Sequence, residues 1–319
     1  AWDHAAGGDG KLIMGKNEDN FNMPGQEENR IMVVAKPNLG YGHVFMTYPG
    51  LIGLDGGMNE AGLEMMTHLN SMMDETMAGC GIGVFTRLLL THVSTVQGAI
   101  QVFENHPRCA GIAFHVASGK AKEAAVVETS ADHVCVRYPK PNSQVLWQAN
   151  HSNCYPGWEG YDGYNMVDNQ KEVNELQDIS TIEKWQQSLR DPKNGFVQAP
   201  SRFERYRTLL EDTHYGRITP DIAQAILSDC VDPYADNYER GRDEPSVSNN
   251  IKCTICALYP DMDFVAPEPL GNFKARIANN WSMVAYPETG SLWLAIQDFP
   301  AQNGGYEHFN VHELLSSKQ

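Results

Sequence analysis

The first twenty residues place two short apolar runs on either side of a cluster of glycines, and this arrangement constrains the rest of the chain more than any other. The runs are residues 2–6 and 12–15, and Gly7-Gly8-Asp9-Gly10 joins them. Glycine adopts positive φ angles without steric cost, so this density of glycine suits a tight turn. The stretch predicts a β-hairpin whose second strand leads directly into a polar run.

That polar run has the order Lys16-Asn17-Glu18-Asp19-Asn20. The end of a half-buried strand is a costly place for polar side chains unless they have hydrogen-bond partners or a function. Side chains alternate between the faces of a strand, so Asn17 and Asp19 share one face. Lys16 and Glu18 share the other. The strand end is therefore a candidate site, and the alternative is a surface hairpin with a solvated polar end.

Length and charge limit the classes of protein to which the chain can belong. It has 319 residues, 24 basic and 40 acidic side chains, and a formal charge of −16. Without a basic cluster, this charge argues against nucleic acid and against an anionic membrane surface as partners. No apolar run approaches the roughly 20 residues that span a bilayer. We expect one domain over residues 1–319, located in the cytoplasm, with a periplasmic or secreted location as the alternative.

The seven cysteines are scattered through the chain, and their odd number does not indicate a disulfide framework. Cys253 and Cys256 have the C-x-x-C spacing of a zinc site, but no second pair follows and the local alternation favours a strand. We therefore expect no metal and no cofactor.

Hydrophobic periodicity predicts two sheet regions, each followed by helices. Helices are expected at 84–92 and 95–105, with Thr95 as an N-cap. The polar segments 155–197 and 232–250 are expected to be long loops. Strands are predicted at 31–36, 43–48, 63–68, 111–117, 123–129, 133–138, 145–151, 252–259, 281–286 and 291–297.

Several short motifs, in a fixed order along the chain, resemble those of one enzyme family. Residues 15–19 fit G-[RK]-N-x-D, and residues 57–63 fit G-M-N-E-x-G-L. Asn150-His151 at a predicted strand end, Ser201-Arg202 at a helix start and the hairpin 281–297 follow. The chain resembles the cysteine N-terminal-nucleophile (Ntn) hydrolases. Within them it is most similar to the acyl-coenzyme A:6-aminopenicillanic acid acyltransferase-like family, a cousin of the choloylglycine and penicillin V hydrolases.

The resemblance implies an α+β fold in which two antiparallel sheets pack face to face between helices, a four-layer αββα sandwich. It also implies a processed N-terminal cysteine. The first cysteine here is Cys80, so the expected cysteine is either replaced by Ala1 or lies one or two residues upstream. Ala1-Trp2 fits the third and fourth places of the family's Cys-Thr/Ser-x-Phe/Trp start, which favours the upstream position. The chain beginning at Ala1 is then expected to be catalytically silent.

Site residues follow from the same resemblance. A free α-amine titrates near pH ~8, so a terminal cysteine supplies both nucleophile and base. The resemblance implies that Asp19 holds this amine and that Lys16 favours the thiolate. Asn150 is carried over as an oxyanion donor and Arg202 as a cation near the thiolate. Each of these residues has a plain structural role as its alternative. The candidates for substrate binding are His68, Asn70 and Trp147.

The function that the resemblance implies is cleavage of a linear, non-peptide C–N amide bond through a thioester on the N-terminal cysteine. Acyl transfer through the same acyl-enzyme is one alternative. A catalytically inactive binding protein on the same fold is another. The expected partner is a small N-acyl or amide substrate, and association with further copies of the chain is left open.

Overall fold

The structure is a computed structural model, and it describes residues 1–22, 26–154, 161–163, 166, 169, 198–231, 254–256, 262–265, 272–297 and 300–317. The strands within these ranges are β1 Met14–Asn22, β2 Ile31–Ala35, β3 His43–Thr47, β4 Gly56–Asn59, β5 Leu63–Leu69, β6 Ile112–Ser118, β7 Glu123–Thr129, β8 Val134–Arg137, β9 Tyr161–Gly163, β10 Met262–Val265, β11 Asn272–Tyr286, β12 Ser291–Ala295 and β13 Glu307–Asn310. The α-helices are α1 Ile82–His92, α2 Val96–Asn105, α3 Gln198–Arg207, α4 Pro220–Leu227 and α5 Val311–Ser316. One π-helical turn, Thr208–Thr213, follows α3.

The described strands form two antiparallel sheets. In the first sheet, β1, β11, β12 and β13 lie in that order, and β10 also pairs with β11. In the second sheet, β2 to β9 lie in their order along the chain. The first sheet therefore joins the start of the chain to its end, while the second is a continuous meander. The meander predicted over residues 111–138 is confirmed in β6, β7 and β8.

Alternation along the strands of the second sheet gives it two buried faces. Leu63 and Met65 of β5 point outward and pack with Phe85 of α1 and Phe103 of α2. Met66, on the opposite face of β5, packs instead in the core that includes Trp281 and Met283 of β11. A sheet with both faces apolar must be covered on both, here by the helices on one side and by the first sheet on the other.

Helices complete the outer layers. Helices α1 and α2 lie against β4 to β7, and α4 lies against β1 and β11. The Thr95 side chain accepts a hydrogen bond from the Gly98 N–H, so the predicted N-cap of α2 is confirmed. The order of layers is helix, sheet, sheet, helix, as the resemblance implied. No helix in the described ranges is long and apolar enough to cross a bilayer.

The predicted N-terminal hairpin needs correction. Residues 2–6 form turns and not a strand: the Ala5 N–H bonds the Trp2 carbonyl, and Asp3 has a φ of 48°. Ala6 instead makes an isolated bridge to Ile218, more than two hundred residues away. The polar run therefore lies inside β1, paired with β11, and not at the end of a hairpin strand.

Two other strand predictions were wrong. Residues 145–151 are buried but irregular, because side chains there replace the sheet ladder: the Gln148 amide donates to the His151 carbonyl at 2.7 Å. Residues 254–256 form a turn that carries one half of a disulfide. The predicted loops at 155–197 and 232–250 lie almost entirely outside the described residues.

The cysteine prediction was also wrong. Cys135 is bonded to Cys154, and Cys230 to Cys256. The partners are 19 and 26 residues apart along the chain. Because each pair joins elements that meet only after folding, the spacing gave no sign of the pairing.

Candidate active site

A cavity opens between the two sheets beside Ala1, and its empty volume out to the open mouth is about 1080 Å³. The cavity exists partly because Ala117 and Ala124, neighbours on the inner face of the second sheet, are too small to fill it. Much of its wall is apolar, including Trp2, Leu12, Leu146, Trp147, Leu210 and Ile226. Its polar lining includes Lys16, Asp19, His68, His115, Asn150 and Arg202.

Three of the predicted catalytic residues form a continuous line in this lining. Arg202 of α3 lies with its Nη1 3.5 Å from Asp19 Oδ2, and its Nη2 donates to Asn150 Oδ1 at 2.8 Å. Asn150 Nδ2 donates in turn to the Leu69 carbonyl at 3.1 Å. The guanidinium therefore fixes the orientation of the Asn150 amide, because its oxygen is occupied and its NH₂ group must face the other way.

A register shift in β1 separates Asp19 from the residues before it. Glu18 lies opposite Trp281, whereas Asp19 lies opposite Asn279, so one residue of β11 is skipped. Such a bulge re-aims the side chains next to it. Asp19 reaches Arg202, while Lys16 and Glu18 turn together toward Asp55 in the second sheet region.

Lys16 is buried in an ionic cluster. Its Nζ lies 2.9 Å from Glu18 Oε2 and 3.4 Å from Asp55 Oδ1. Burial opposes the charge on Lys16, but Asp55 and Glu18 outweigh it, so the pKa of Lys16 is raised. Burial and the nearby Asp55 also raise the pKa of Glu18 well above its ordinary value. Lys16 therefore keeps its positive charge, and Glu18 holds its proton to a higher pH than an exposed carboxyl group does.

Ala1 is tied to the second apolar run. Its amino group donates to the Ile13 carbonyl at 2.9 Å, and the Ile13 N–H donates to the Ala1 carbonyl at 2.7 Å. Burial lowers the pKa of this amine to about 5, against the opposing pull of Glu64. Burial likewise raises the pKa of Glu64 to about 8. An amine placed here is therefore unprotonated at neutral pH.

Two of the three predicted substrate-binding residues line the cavity, and the third does not. His68 and Trp147 line the cavity, and Trp147 packs against Phe203 with ring centroids 5.5 Å apart. Asn70 is fully buried beyond the end of β5, and the described lining of the cavity does not include it. The structure therefore brings two of the three together.

Sequence reasoning missed His115, Gln148 and Tyr206, all of which line the cavity. The signal for His115 was present: Phe114 and Val116 are buried against the helices, so period-two alternation puts His115 on the inner face. Nothing local marks Gln148 or Tyr206, because the chain brings them in from an irregular segment and from α3.

No cysteine among the described residues lines the cavity. Cys80 and Cys109 are free thiols, and the other four described cysteines are in disulfides. In the part of the chain that the structure describes, no group of three His, Cys, Asp or Glu side chains is arranged to hold a metal ion.

Two face-to-face antiparallel sheets between helices form the αββα sandwich of the Ntn-hydrolase fold. A crystal structure of a cysteine-to-alanine mutant of conjugated bile acid hydrolase from Clostridium perfringens has this fold. It matches with a TM-score of 0.52 and 14% sequence identity, over 98% of this chain and 93% of that one.

The family follows from the sequence. The model of the acyl-coenzyme A:6-aminopenicillanic acid acyl-transferase family matches residues 5–275, and the chain belongs to this family. Penicillin V acylase from Agrobacterium tumefaciens also matches in structure, with a TM-score of 0.46 and 16% identity over 92% of this chain and 81% of that one.

A sequence relative is an uncharacterized protein of Archaeoglobus fulgidus, 27% identical over 134 residues. That match covers 41% of this chain and 22% of the relative.

Proposed function

We propose that the protein hydrolyses a linear, non-peptide amide through a thioester on a cysteine that precedes Ala1. One observation carries the proposal. Arg202 forms an ion pair with Asp19 and a hydrogen bond with Asn150, and all three residues line the same cavity as Ala1. A charged orienting group, a cation and an amide donor are the parts that an N-terminal thiol needs for acyl chemistry. The apolar wall beside them suits an acyl group.

The register of the first residues supports a nucleophile two positions before Ala1. Ala1 and Ile13 exchange both backbone hydrogen bonds, which makes them a hydrogen-bonded antiparallel pair. A chain that continues in the same register brings the residue two positions upstream opposite Gly15. Side chains two apart share a face, so that residue points the same way as Ala1, which lines the cavity.

In the proposed reaction, the thiolate attacks the amide carbon, a C–S bond forms, and the carbonyl oxygen takes up negative charge. Asn150 Nδ2 has two hydrogens, and only one is donated to Leu69. The second can donate to the oxyanion. The α-amine takes the thiol proton before this attack. Collapse breaks the C–N bond, and the leaving amine takes that proton from the α-ammonium. Water, giving a proton to the α-amine, then attacks the thioester, the C–S bond breaks, the carboxylic acid is released and the sulfur regains its proton from the α-ammonium.

The low pKa of an amine at this buried end supports its use as the base. Desolvation at Ala1 lowers the amine pKa to about 5, and a terminal amine two residues upstream, in the same cavity, would be subject to the same cause. Asp19 pulls the other way, since a carboxylate favours the protonated form. Desolvation and Asp19 thus act in opposite directions on the pKa of that amine.

Two disulfides support a location in an oxidising compartment, since such bonds rarely persist in a reducing cytosol. The proposed location is therefore the periplasm or the exterior of the cell, and not the cytoplasm expected from the sequence.

The test uses the naturally processed protein. Its intact mass and N-terminal sequence identify the first residue, and amine release from a panel of N-acyl amides measures activity. We expect iodoacetamide to abolish release by modifying an N-terminal cysteine, and a single turnover to add one acyl group to that cysteine. The matched control is the variant Cys80→Ser/Cys109→Ser, which removes the free thiols of the described chain and should keep full activity.

Three outcomes would contradict the proposal. Loss of activity on modification of Cys80 or Cys109 alone would place the nucleophile elsewhere. A mature protein without an N-terminal cysteine, binding N-acyl compounds without turnover, would favour the inactive binding protein. Release of amine only when a second amine or a thiol is supplied would favour acyl transfer.

A further inference from the structure

Two histidines lie side by side on the inner face of the second sheet. His68 belongs to β5 and His115 to β6, and both line the cavity. Their ring centroids are 5.9 Å apart and the ring planes are nearly perpendicular, at 83°. In the ladder between the two strands, His115 lies opposite Met66 and His68 opposite Ala113, so both rings share one face.

Neither imidazole has a hydrogen-bond partner within the described part of the protein. The Nε2 atom of His115 is shielded from solvent and still unpaired. Polar groups in protein interiors are nearly always hydrogen-bonded, so such atoms in a cavity wall need an explanation. The residues assigned to the chemistry do not supply one, because Lys16 bonds Glu18 and Arg202 bonds Asn150.

Both rings are uncharged at neutral pH. Burial lowers the pKa of His115 to about 3, with Arg137 adding to the effect. Burial, followed by the charge of Lys16, lowers the pKa of His68 well below its ordinary value. A neutral imidazole offers one donor and one acceptor, so the pair offers two of each.

The surroundings select the chemistry of a ligand. Lys16 is paired with Glu18 and Asp55, and Arg202 is paired with Asp19. Neither a cationic nor an anionic group would therefore find an unpaired counter-charge among the described residues here, and burying such a group unpaired is costly. An uncharged oxygen matches a neutral pair that both donates and accepts.

There is also room for such a group. Ala117 lies next to His115 on the inner face of β6, and Ala124 lies opposite Ala117 on β7. Both alanines line the cavity, so its floor is open beside the imidazoles. Ala117 and Ala124 give an acyl group apolar contacts beside the two rings.

We infer that His68 and His115 form a polar subsite that binds an uncharged hydroxyl or carbonyl oxygen on the acyl part of the substrate. The inference rests on the proposed function and adds a substrate class: amides of oxygen-substituted acyl groups, in preference to plain hydrocarbon ones. The pair determines specificity and takes no part in bond cleavage.

The experiment compares kcat/KM for a plain octanoyl amide with kcat/KM for the hydroxyoctanoyl amides of the same amine. These positional isomers carry one hydroxyl each, at successive carbons of the acyl chain. We expect the native enzyme to prefer one isomer over the plain amide by at least about 10-fold, since a site built to hydrogen-bond an oxygen discriminates against its absence. His115→Phe should abolish this preference, which is measured as the ratio of the two kcat/KM values. The matched control His92→Phe, at an exposed position on α1, should keep the preference.

A second readout separates this inference from the proposed function. Long-range ¹H–¹⁵N spectra of the histidine rings, recorded while 1,2-octanediol or n-octanol is added, report binding without turnover. We expect the diol, which has the additional hydroxyl, to shift the signals of His68 and His115 more than n-octanol does.

Two results together would overturn the subsite and leave the amidase proposal intact. The first is turnover of plain amides with no preference for any isomer, and the second is an equal shift of the ring signals by the two alcohols. Absence of all turnover with a selective diol shift would refute the amidase and keep the subsite. If His115→Phe does not fold, His68→Phe replaces it and should abolish the preference. His115→Gln, which retains a neutral donor and acceptor, should keep part of the preference. An unchanged preference in His68→Phe refutes the subsite.

Discussion

The two sheets that face each other, here called the two walls, treat buried polar groups in opposite ways. On β1, Asn17 donates to two backbone carbonyls and accepts from Ser282, and Lys16 is held by Glu18 and Asp55. On the inner face of the second sheet, Glu64 is buried with both carboxyl oxygens unpaired in the described structure. A paired group is fixed in place and suits positioning. A buried polar group without a hydrogen-bond partner destabilises the ligand-free protein and is available to bind a ligand. We therefore expect different effects of mutation on the two walls.

The largest expected effect is at Asn150, which Arg202 links to Asp19 of the paired wall. Asn150→Ala should lower kcat of the processed enzyme by about 10²–10³, because it removes an oriented donor to the developing oxyanion. Steady-state amine release measures this effect, and thermal unfolding shows whether the fold is kept. The control Asn142→Ala, on a surface turn, should be silent. Near-native kcat in Asn150→Ala would return Asn150 to a purely structural role.

The second effect tests the unpaired wall through stability. The pKa of Glu64 is raised by burial to about 8 from an ordinary 4.5, so the folded protein holds a proton that the unfolded chain releases. Native stability therefore falls as pH rises from 4.5 to 8. Glu64→Gln keeps the shape without this cost, and its advantage in the free energy of unfolding should reach about 3 kcal/mol at pH 7.

Urea unfolding of both proteins at several pH values measures the difference. Below pH 4.5 the two proteins should converge, since the carboxyl is then protonated in both states. A constant difference across the pH range would mean that Glu64 has an ionic partner.

The third expected effect concerns His115, for which stability changes with pH in the opposite direction. The pKa of His115 is lowered by burial to about 3 from 6.5, so the unfolded chain binds the extra proton. The stability that this neutral ring contributes is complete above pH 6.5 and is lost as pH falls toward 3. His115→Phe should remove about 2 kcal/mol of acid sensitivity between pH 6.5 and 4.5, measured by urea unfolding, and His92→Phe should not. Equal slopes for His115→Phe and the native protein would mean that the ring is solvated.

The smallest expected effect is a difference in activity between variants of Asp19 and of its neighbour Glu18 on β1. Asp19→Asn should cut kcat/KM at least about tenfold and move the acidic limb of its pH profile, because the carboxylate raises the pKa of the nearby amine. Glu18→Gln should change neither, since the pKa of Glu18 is already raised and the amide keeps a contact to Lys16. A damaging Glu18→Gln with a silent Asp19→Asn would reverse the roles on either side of the bulge.

Local sequence patterns correctly predicted strands, a turn and a helix cap. Alternating apolar residues identified β6, β7 and β8, and the sequence Pro287-Glu288-Thr289-Gly290 identified the turn between β11 and β12. The capping role of Thr95 was readable because an N-cap is satisfied within four residues. These features need no partner from elsewhere in the chain.

Several of the failures involve distant partners. Residues 2–6 are held by a bridge to Ile218 and not by a neighbouring strand, and no periodicity reports such a contact. The bulge after Glu18 changes the direction of Asp19 by skipping one residue of β11, which the alternation of β1 alone cannot show. The site residues Asp19, Asn150 and Arg202 were identified by resemblance, but their bonding to one another appears only in three dimensions.

The paired backbone bonds between Ala1 and Ile13 turn the intervening loop into a spacer of fixed length. Its middle is anchored as well: the Gly7 N–H bonds the Ile218 carbonyl at 2.9 Å, and a Cβ on Gly7 would lie 2.9 Å from the Arg217 backbone. Adding or removing one residue in this loop would slide the start of the chain along β1 by about 3.4 Å and turn its side chains to the opposite face. Loop length, more than loop composition, therefore sets the distance between the start of the chain and Asp19.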